Sequence, residues 1–319
     1  MQDLFGDEIK AEEAIHVNIY ADEIWDVENI YTKEKWMYSI AIYERADKPI
    51  LADLVNIRYC KDRVGWEDKF VQNDTDIHWA ELRTDKNKKF IVERWLKYIY
   101  EDCFSERKFY MSFMGINLTN LNTTEFDSNQ NLNSIYNRFF RSMLQYSLKK
   151  FFGKGVVVDN IFHEEGSQKE HDFFDWHTIF KLDQDEHINF NCRNIIFLPK
   201  SHRDNEKSNV IQLCDVLAGI LKDLHCGIFK SKNSNNREGV LNSKCVQDLF
   251  VKRVIRNPLN KNSSYFYFNR FNLSFFPKTS SKKDSPDRFM DNYYDLSKIE
   301  LAFEKNTSQM DLFSFTNET

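Results

Sequence analysis

Two carboxylates in apolar surroundings are the residues of this sequence that are best suited to chemistry. Asp22 follows the strand-like apolar segment 15–20, and Asp215 lies within the apolar segment 210–220, whose composition favours a helix. Removing a carboxylate from water is unfavourable unless it is paired with a cation or hydrogen-bonded. The two acids therefore predict a positively charged partner, and a divalent metal ion is the first candidate.

Two further acids have a similar context. Glu81 precedes a predicted helix, and Asp159 directly follows the apolar segment 156–158. Carboxylate oxygens are the ligands that Mg²⁺ and Mn²⁺ prefer, and a pair of such ions roughly 3.5–4 Å apart stabilises the attacking and leaving oxygens of a phosphoryl displacement. Each acid alone has an ordinary explanation as a turn cap, a residue of a first helical turn, a strand end or the partner of a lysine. If the four acids converge in the fold, their mutual repulsion calls for bound Mg²⁺ or Mn²⁺, which is the chemistry of a phosphodiesterase.

Several neighbouring polar residues are secondary candidates. Glu23 and Lys200 could contact the metal, a phosphate or the attacking water, although a solvated surface position is the simpler expectation for both. A His-Glu-Glu sequence occupies 163–165, and His171 precedes Asp175 by about one helical turn, a spacing that can bind metal. An exposed helix face explains His171 and Asp175 more simply.

The order of apolar segments predicts an α/β fold. A strand-rich beginning is followed by alternating helices and strands, which favours a mixed sheet with helices on its faces. Strands are predicted at 15–20, 36–43, 50–59, 109–116, 156–158 and 194–198, and helices at 88–103, 132–152, 171–182 and 209–225. The sequence divides into an N-terminal segment 1–14, a domain 15–226, an α+β extension 227–305 and a flexible tail 306–319.

Composition limits the classes of function. The chain has 319 residues, 41% of them hydrophobic, which is enough to form a large core. With 44 basic and 49 acidic residues the net charge is −5, so a nucleic-acid contact would have to be a local basic patch. No secretory signal and no membrane-spanning apolar run is evident, so we expect a cytoplasmic protein without a membrane partner. The six cysteines show no Cys-x-x-Cys pair and indicate neither zinc binding nor a disulfide framework.

Short blocks of the sequence resemble the domain-of-unknown-function family 3800, whose members look like ribonuclease H-like proteins. The sequence Tyr-Ala-Asp-Glu at 20–23 is similar to the family's Tyr-x-Asp-Glu-Ser opening, with Ile24 in place of the serine. The sequence Ile-Gln-Leu-Cys-Asp-Val-Leu-Ala-Gly at 211–219 is close to its Gln-Leu-Ala-Asp-Leu-Leu-Ala-Gly helix. Segments 156–159 and 78–82 look like its inner strand with an acid and its short block with a glutamate.

The resemblance covers about 15 to 226 and implies a ribonuclease H-like fold. It implies that Asp22, Glu81, Asp159 and Asp215 are metal ligands of a nuclease that cleaves DNA or RNA, in a setting of defence or mobile elements and with a partner protein as a possible requirement. The rival interpretation is a non-catalytic nucleic-acid or clamp-binding module that retains the fold. In a third interpretation the acids only stabilise the fold.

A motif in the tail suggests a protein partner. The sequence Gln-Met-Asp-Leu-Phe at 309–313 resembles the peptide by which bacterial polymerases and repair proteins bind the sliding clamp. Leu312 and Phe313 would enter an apolar pocket, and Gln309 would form a hydrogen bond at its rim. The similar sequence Gln-Asp-Leu-Phe at 247–250, in a predicted helix, shows that such motifs also arise by chance. The alternative is that the tail folds back on the protein's own surface.

Overall fold

The computed structural model describes most of the region from 14 to 277. The described ranges are 14–30, 32–59, 76–103, 106–126, 131–153, 155–171, 174–201, 205–226, 235–250 and 270–277. No helix in these ranges is both long and apolar enough to cross a membrane.

A mixed sheet of seven strands forms the centre of the described chain. Its order is β5-β4-β1-β2-β3-β7, and β6 also pairs with β4. Strands β1, β2 and β3 are antiparallel neighbours, whereas β4 is parallel to β1, β5 and β6 are parallel to β4, and β7 is parallel to β3. The strands are β1 (His16–Glu28), β2 (Lys35–Arg45), β3 (Phe109–Asn117), β4 (Val156–Glu164), β5 (Ile188–Phe190), β6 (Ile195–Leu198) and β7 (Phe271–Phe276).

Helices cover both faces of this sheet. They are α1 (Leu51–Arg58), α2 (Lys86–Tyr98), α3 (Thr123–Phe126), α4 (Leu132–Phe152), α5 (Ser208–Cys226), α6 (Asn235–Leu241) and α7 (Lys244–Val246). Short 3₁₀ turns occupy Trp79–Arg83 and Ser167–Glu170, and π-helical turns occupy Ile99–Cys103 and Trp176–Phe180. This architecture confirms the predicted α/β class and is consistent with a ribonuclease H-like arrangement.

Side-chain alternation along the strands produces two separate cores. In β2, Trp36 and Ile40 pack in the core that contains α1, α2 and α5, whereas Met37 and Ala41 pack in the core that contains α4. Successive side chains of a strand point to opposite faces, so a strand covered on both faces is apolar throughout. The sheet is therefore the middle of three layers, and a polar side chain on it must face one helical layer or the other.

The prediction of a strand at 50–59 is wrong, because this segment forms α1. Leu54, Val55 and Arg58 are buried at helical spacing. The buried carboxylate of Glu44 accepts hydrogen bonds from the backbone N–H groups of Ile50 (2.7 Å) and Leu51 (3.1 Å), which satisfies donors at the start of the helix. In a short apolar run, the spacing of the apolar residues does not distinguish a buried strand from a buried helix.

The described part of the extension 227–305 packs with the rest of the chain. Strand β7 adds to the edge of the sheet beside β3, and α6 contacts α2 and the turn Trp79–Arg83. This part of the extension therefore contributes to the same sheet and the same core as the preceding domain.

Candidate functional site

The structure brings Asp22 and Asp215 together across the space between β1 and α5. Asp22 lies two residues after Tyr20, on the face of β1 that α5 covers, and only 1% of its surface is exposed. The Cys214 thiol donates to the Tyr20 carbonyl oxygen at 3.4 Å, which holds the helix against the strand close to both acids. The two acids lie close enough for the charge of Asp215 to raise the pKa of Asp22.

The register between β1 and β4 places Glu164 beside this pair. Ala21 is paired with His163, so Asp22 and Glu164 are the next residues along the two parallel strands. A register shift near Val17 leaves Asp159 as an extra residue in β4. Such a bulge reverses the faces of all later side chains in the strand. Glu164 consequently lies on the α5 side of the sheet, with Asp22.

Lys200 supplies a positive charge to the three acids. Its ammonium group forms an ion pair with Glu164 and lies 3.8 Å from Asp215 Oδ1. It follows β6, whose last residue, Leu198, pairs with Glu164. Lys200 is therefore part of the acidic site, and its side chain is only 28% exposed, in contrast to the solvated position that was expected.

Glu23 lies on the opposite face of β1, in a buried cluster with His163. His163 Nε2 is 3.4 Å from Glu23 Oε2, and the Trp25 indole N–H donates to Glu23 Oε1 at 3.4 Å. Because His163 Nδ1 donates to the Glu164 carbonyl oxygen (3.0 Å), Nε2 accepts from the Tyr136 hydroxyl (2.9 Å). Burial raises the pKa of Glu23 to about 7 and lowers that of His163 to about 4, so His163 is neutral at pH 7. The solvated position expected for Glu23 is wrong.

Asp22 has the least favourable electrostatic environment of these acids. Burial is the largest cause, followed by the charge of Asp215, and together they raise the pKa of Asp22 from 3.8 to about 8 even though Lys200 and His163 lower it. Asp22 Oδ1 accepts from the Glu23 backbone N–H at 2.7 Å, whereas Oδ2 is buried without a hydrogen-bond partner. Without an additional cation, Asp22 is mostly protonated at neutral pH.

Trp79 fixes the position of Asp215. Asp215, Gly219 and Asp223 lie four residues apart on one face of α5, and Trp79 lies across this face. The Trp79 backbone N–H donates to Asp215 Oδ2 (2.6 Å), and its indole N–H donates to Asp223 Oδ2 (2.8 Å). A Cβ atom at Gly219 would be 2.1 Å from Trp79 Cγ, so only glycine permits this approach. The segment 78–82 thus positions Asp215 through a backbone group.

Gln212 connects the segments that surround the site. Its side-chain N–H donates to the Lys200 carbonyl oxygen (2.6 Å), and its Oε1 accepts from Arg58 Nη1 (2.8 Å) and from the Ile77 backbone N–H (3.0 Å). All three bonds are shielded from solvent, because Gln212 is fully buried. This glutamine therefore holds the chain segments that carry Lys200 and Trp79 against α5.

The carboxylate of Glu81 lies apart from the group around Asp22. It forms an ion pair with Lys88, which lowers the pKa of Glu81, and its side chain is 53% exposed. The charges that shift the pKa of Asp22 are those of other residues. The turn Trp79–Arg83, which contains Glu81, contacts Asp215 through the backbone N–H of Trp79.

Asp159 lies near the middle of β4, whereas the acidic site is at the C-terminal end of this strand. Its carboxylate accepts a hydrogen bond from Asn191 Nδ2 (2.6 Å) and lies 2.9 Å from His16 Nδ1. Glu164 is five positions after Asp159, which is about 16 Å along a strand. The structure therefore brings together Asp22, Asp215 and Glu164, and it places Asp159 elsewhere.

The oxygen atoms of the three acids are suitable ligands for a divalent cation, but the acids are too far apart in this structure to bind one together. In the described part of the chain, no three His, Cys, Asp or Glu side chains stand close enough together to hold a metal ion. Asp22, Glu164 and Asp215 nevertheless offer only oxygen donors, which Mg²⁺ and Mn²⁺ prefer, and Asp22 Oδ2 lacks a partner. Lys200 now contacts Glu164, so a metal ion would have to compete with its ammonium group.

Comparisons with known proteins leave the family of this chain as a prediction. No protein-family model matches the sequence, and no curated protein matches it either.

The clamp-like residues Gln309, Leu312 and Phe313 lie outside the described residues. In the similar sequence at 247–250, Leu249 and Phe250 are buried in the core, so this second copy of the motif has a packing role.

Proposed function

We propose that this protein is a cytoplasmic metal-dependent nuclease that hydrolyses phosphodiester bonds of DNA or RNA. The observation that supports this most strongly is the buried Asp22, which faces Asp215 and has one oxygen without a hydrogen-bond partner. Burial of Asp22 beside a second carboxylate destabilises the fold, and binding of a divalent cation would offset that cost. Asp22, Glu164 and Asp215 would hold Mg²⁺ or Mn²⁺.

The chain's own groups have separate roles in this proposal. A bound divalent cation would activate water and stabilise negative charge on the phosphate. Trp79 holds one oxygen of Asp215 in place by its backbone N–H, so the other oxygen can point toward Asp22. Lys200 lies at the edge of the acidic group with its side chain partly exposed, where its ammonium group can contact a phosphate oxygen of the substrate.

A cleavage assay tests this proposal. Labelled single-stranded and duplex DNA and RNA would be incubated with the protein in Mg²⁺, in Mn²⁺ or in chelator. We expect cleavage by the wild type only with metal, no cleavage by Asp215→Asn, and wild-type cleavage by Asp159→Asn, which makes the same change outside the acidic site. Cleavage by a folded Asp215→Asn variant would contradict the proposal, as would cleavage that persists in chelator.

One observation favours the second candidate, a non-catalytic module that binds nucleic acid or a sliding clamp. The Lys200 ammonium already pairs with Glu164 and lies near Asp215, so part of the negative charge is compensated within the chain itself. A module of this kind would bind nucleic acid equally well in Mg²⁺ and in chelator, and binding would survive the Asp22→Asn and Asp215→Asn changes. Fluorescence anisotropy with labelled oligonucleotides measures this directly.

The clamp interaction needs its own measurement. Substituting alanine for Leu312 and Phe313 should abolish binding of the protein to a bacterial sliding clamp on a sensor surface, because these two side chains would fill the apolar pocket. Equal binding by the wild type and by this variant would exclude the tail motif as the contact.

A further inference from the structure

A pocket with a strongly basic lining lies on the α4 face of the sheet, away from the acidic site. Its volume is about 380 Å³, within the roughly 300–1,000 Å³ that is typical of small-molecule sites. Helix α4 forms one wall, and His171, His177 and Lys181 form the other. The side chains that matter for its chemistry are Asn137, Arg138, Arg141, His171, His177 and Lys181.

The charges in this pocket repel one another. None of the described residues that line it is acidic. The charge of Arg138 adds to burial in lowering the pKa of Arg141, and burial lowers the pKa of His177, with further contributions first from Arg141 and then from His171 and Lys181. A bound anion would remove this repulsion and would gain charge-assisted hydrogen bonds.

Contacts within the pocket hold its polar groups in fixed positions. Arg141 Nη1 donates to the His177 carbonyl oxygen at 3.2 Å, which ties α4 to the opposite wall. Asn137 is only 2% exposed, and its Nδ2 donates to His171 Nδ1 at 3.3 Å, whereas its Oδ1 is buried without a hydrogen-bond partner. Arg141 and His171 are therefore held in place on the two walls of the pocket.

We propose that this pocket binds a phosphate group carried by a nucleotide or by a nucleic-acid strand. Arg138 and Arg141 lie one helical turn apart on α4, and guanidinium groups match the oxygens of a phosphate with paired hydrogen bonds. Lys181 adds a third permanent positive charge from the opposite wall. The volume of about 380 Å³ is larger than a phosphate ion alone would fill, so it leaves room for the sugar and base of a nucleotide. This proposal does not depend on the nuclease proposal, because the acidic site lies on the other face of the sheet.

Isothermal titration calorimetry on the full chain tests the proposal. The probes are inorganic phosphate, ATP and an oligonucleotide without terminal phosphates, all in chelator so that metal at the acidic site does not contribute. The test variant is the double substitution Arg138→Gln and Lys181→Gln, because both residues are exposed and their replacement leaves the core intact. The control removes the same charge from two exposed ion pairs by Lys33→Gln and Lys35→Gln.

The wild type should bind at least one probe, with one site per chain. The test variant should bind that probe about tenfold or more weakly, because each charge-assisted hydrogen bond to phosphate that is lost typically lowers the affinity by about a factor of ten. The control variant should bind like the wild type. Binding of phosphate and ATP, without binding of the oligonucleotide, would identify a free phosphate compound as the ligand. Binding of the oligonucleotide in competition with ATP would identify a nucleic-acid strand as the ligand. Absence of binding to every probe, or equal weakening in test and control variants, would overturn the proposal.

Discussion

Replacing Asp22 by Asn should stabilise the metal-free protein at pH 8. In the folded protein, burial and then the charge of Asp215 raise the pKa of Asp22 from 3.8 to about 8. The folded protein therefore holds this proton more tightly than the unfolded chain does, so the free energy of unfolding falls as pH rises from about 4 to about 8. Asn has no proton to lose, and the variant should lack this part of the fall.

The size of the effect follows from the pKa values. At about 1.4 kcal/mol per pKa unit, a rise from 3.8 to about 8 corresponds to about 5 kcal/mol at pH 8. Asn keeps an oxygen that can accept from the Glu23 backbone N–H, so the change costs at most about 1 kcal/mol in hydrogen bonding. We therefore expect a gain of a few kcal/mol at pH 8. At pH 5 the gain should be at most about 2 kcal/mol, because the unfolded chain, with a pKa of 3.8, has already lost this proton while the folded protein still holds it.

Urea unfolding monitored by tryptophan fluorescence at pH 5 and pH 8 measures both values. Asp159→Asn is the matched control, because its carboxylate is partly exposed and hydrogen-bonded and should show no gain at pH 8. Added Mg²⁺ or Mn²⁺ should stabilise the wild type at pH 8 and leave Asp22→Asn unchanged, since a bound ligand stabilises only the state that binds it.

Two results would refute this reasoning. If Asp22→Asn were less stable than the wild type at pH 8 in chelator, the carboxylate would be a stabilising group rather than a costly one. If metal stabilised the variant and the wild type equally, the metal would bind elsewhere.

Two further predictions concern the support of the site and its composition. Gly219→Ala should lower the free energy of unfolding by about 1–3 kcal/mol, because the new Cβ collides with Trp79. The same change at the helical Gly239 meets only the end of a lysine side chain and should be neutral or stabilise by up to about 1 kcal/mol; equal urea midpoints for the two variants would contradict this. In calorimetric titrations with Mn²⁺, Glu164→Gln should weaken binding and Asp159→Asn should not, and the reverse order would show that Asp159 is the ligand.

Local sequence patterns were sufficient for the fold class and for two of the acids. Apolar runs long enough to be buried strands or helices predict β1 and α5 correctly, because burial on a regular backbone imposes a period on the sequence. Asp22 and Asp215 stand out within these runs, since a carboxylate among core residues is unusual at the level of sequence. The alternating order of strands and helices also predicts the mixed sheet covered by helices.

Long-range contacts decided which other residues join the site. The bulge at Asp159 has no local signature, yet it turns Glu164 toward Asp22 and leaves Asp159 near the middle of β4, away from the acids. Lys200 reaches the acids because β6 pairs with the end of β4.

The same holds for the basic pocket on the other face, whose residues come from α4 and from a segment about 40 positions later. Periodicity in a sequence reports which face of an element is buried. Strand register, bulges and the packing of distant helices depend on free energies of contact between segments that are far apart in the chain, and only the tertiary structure contains them.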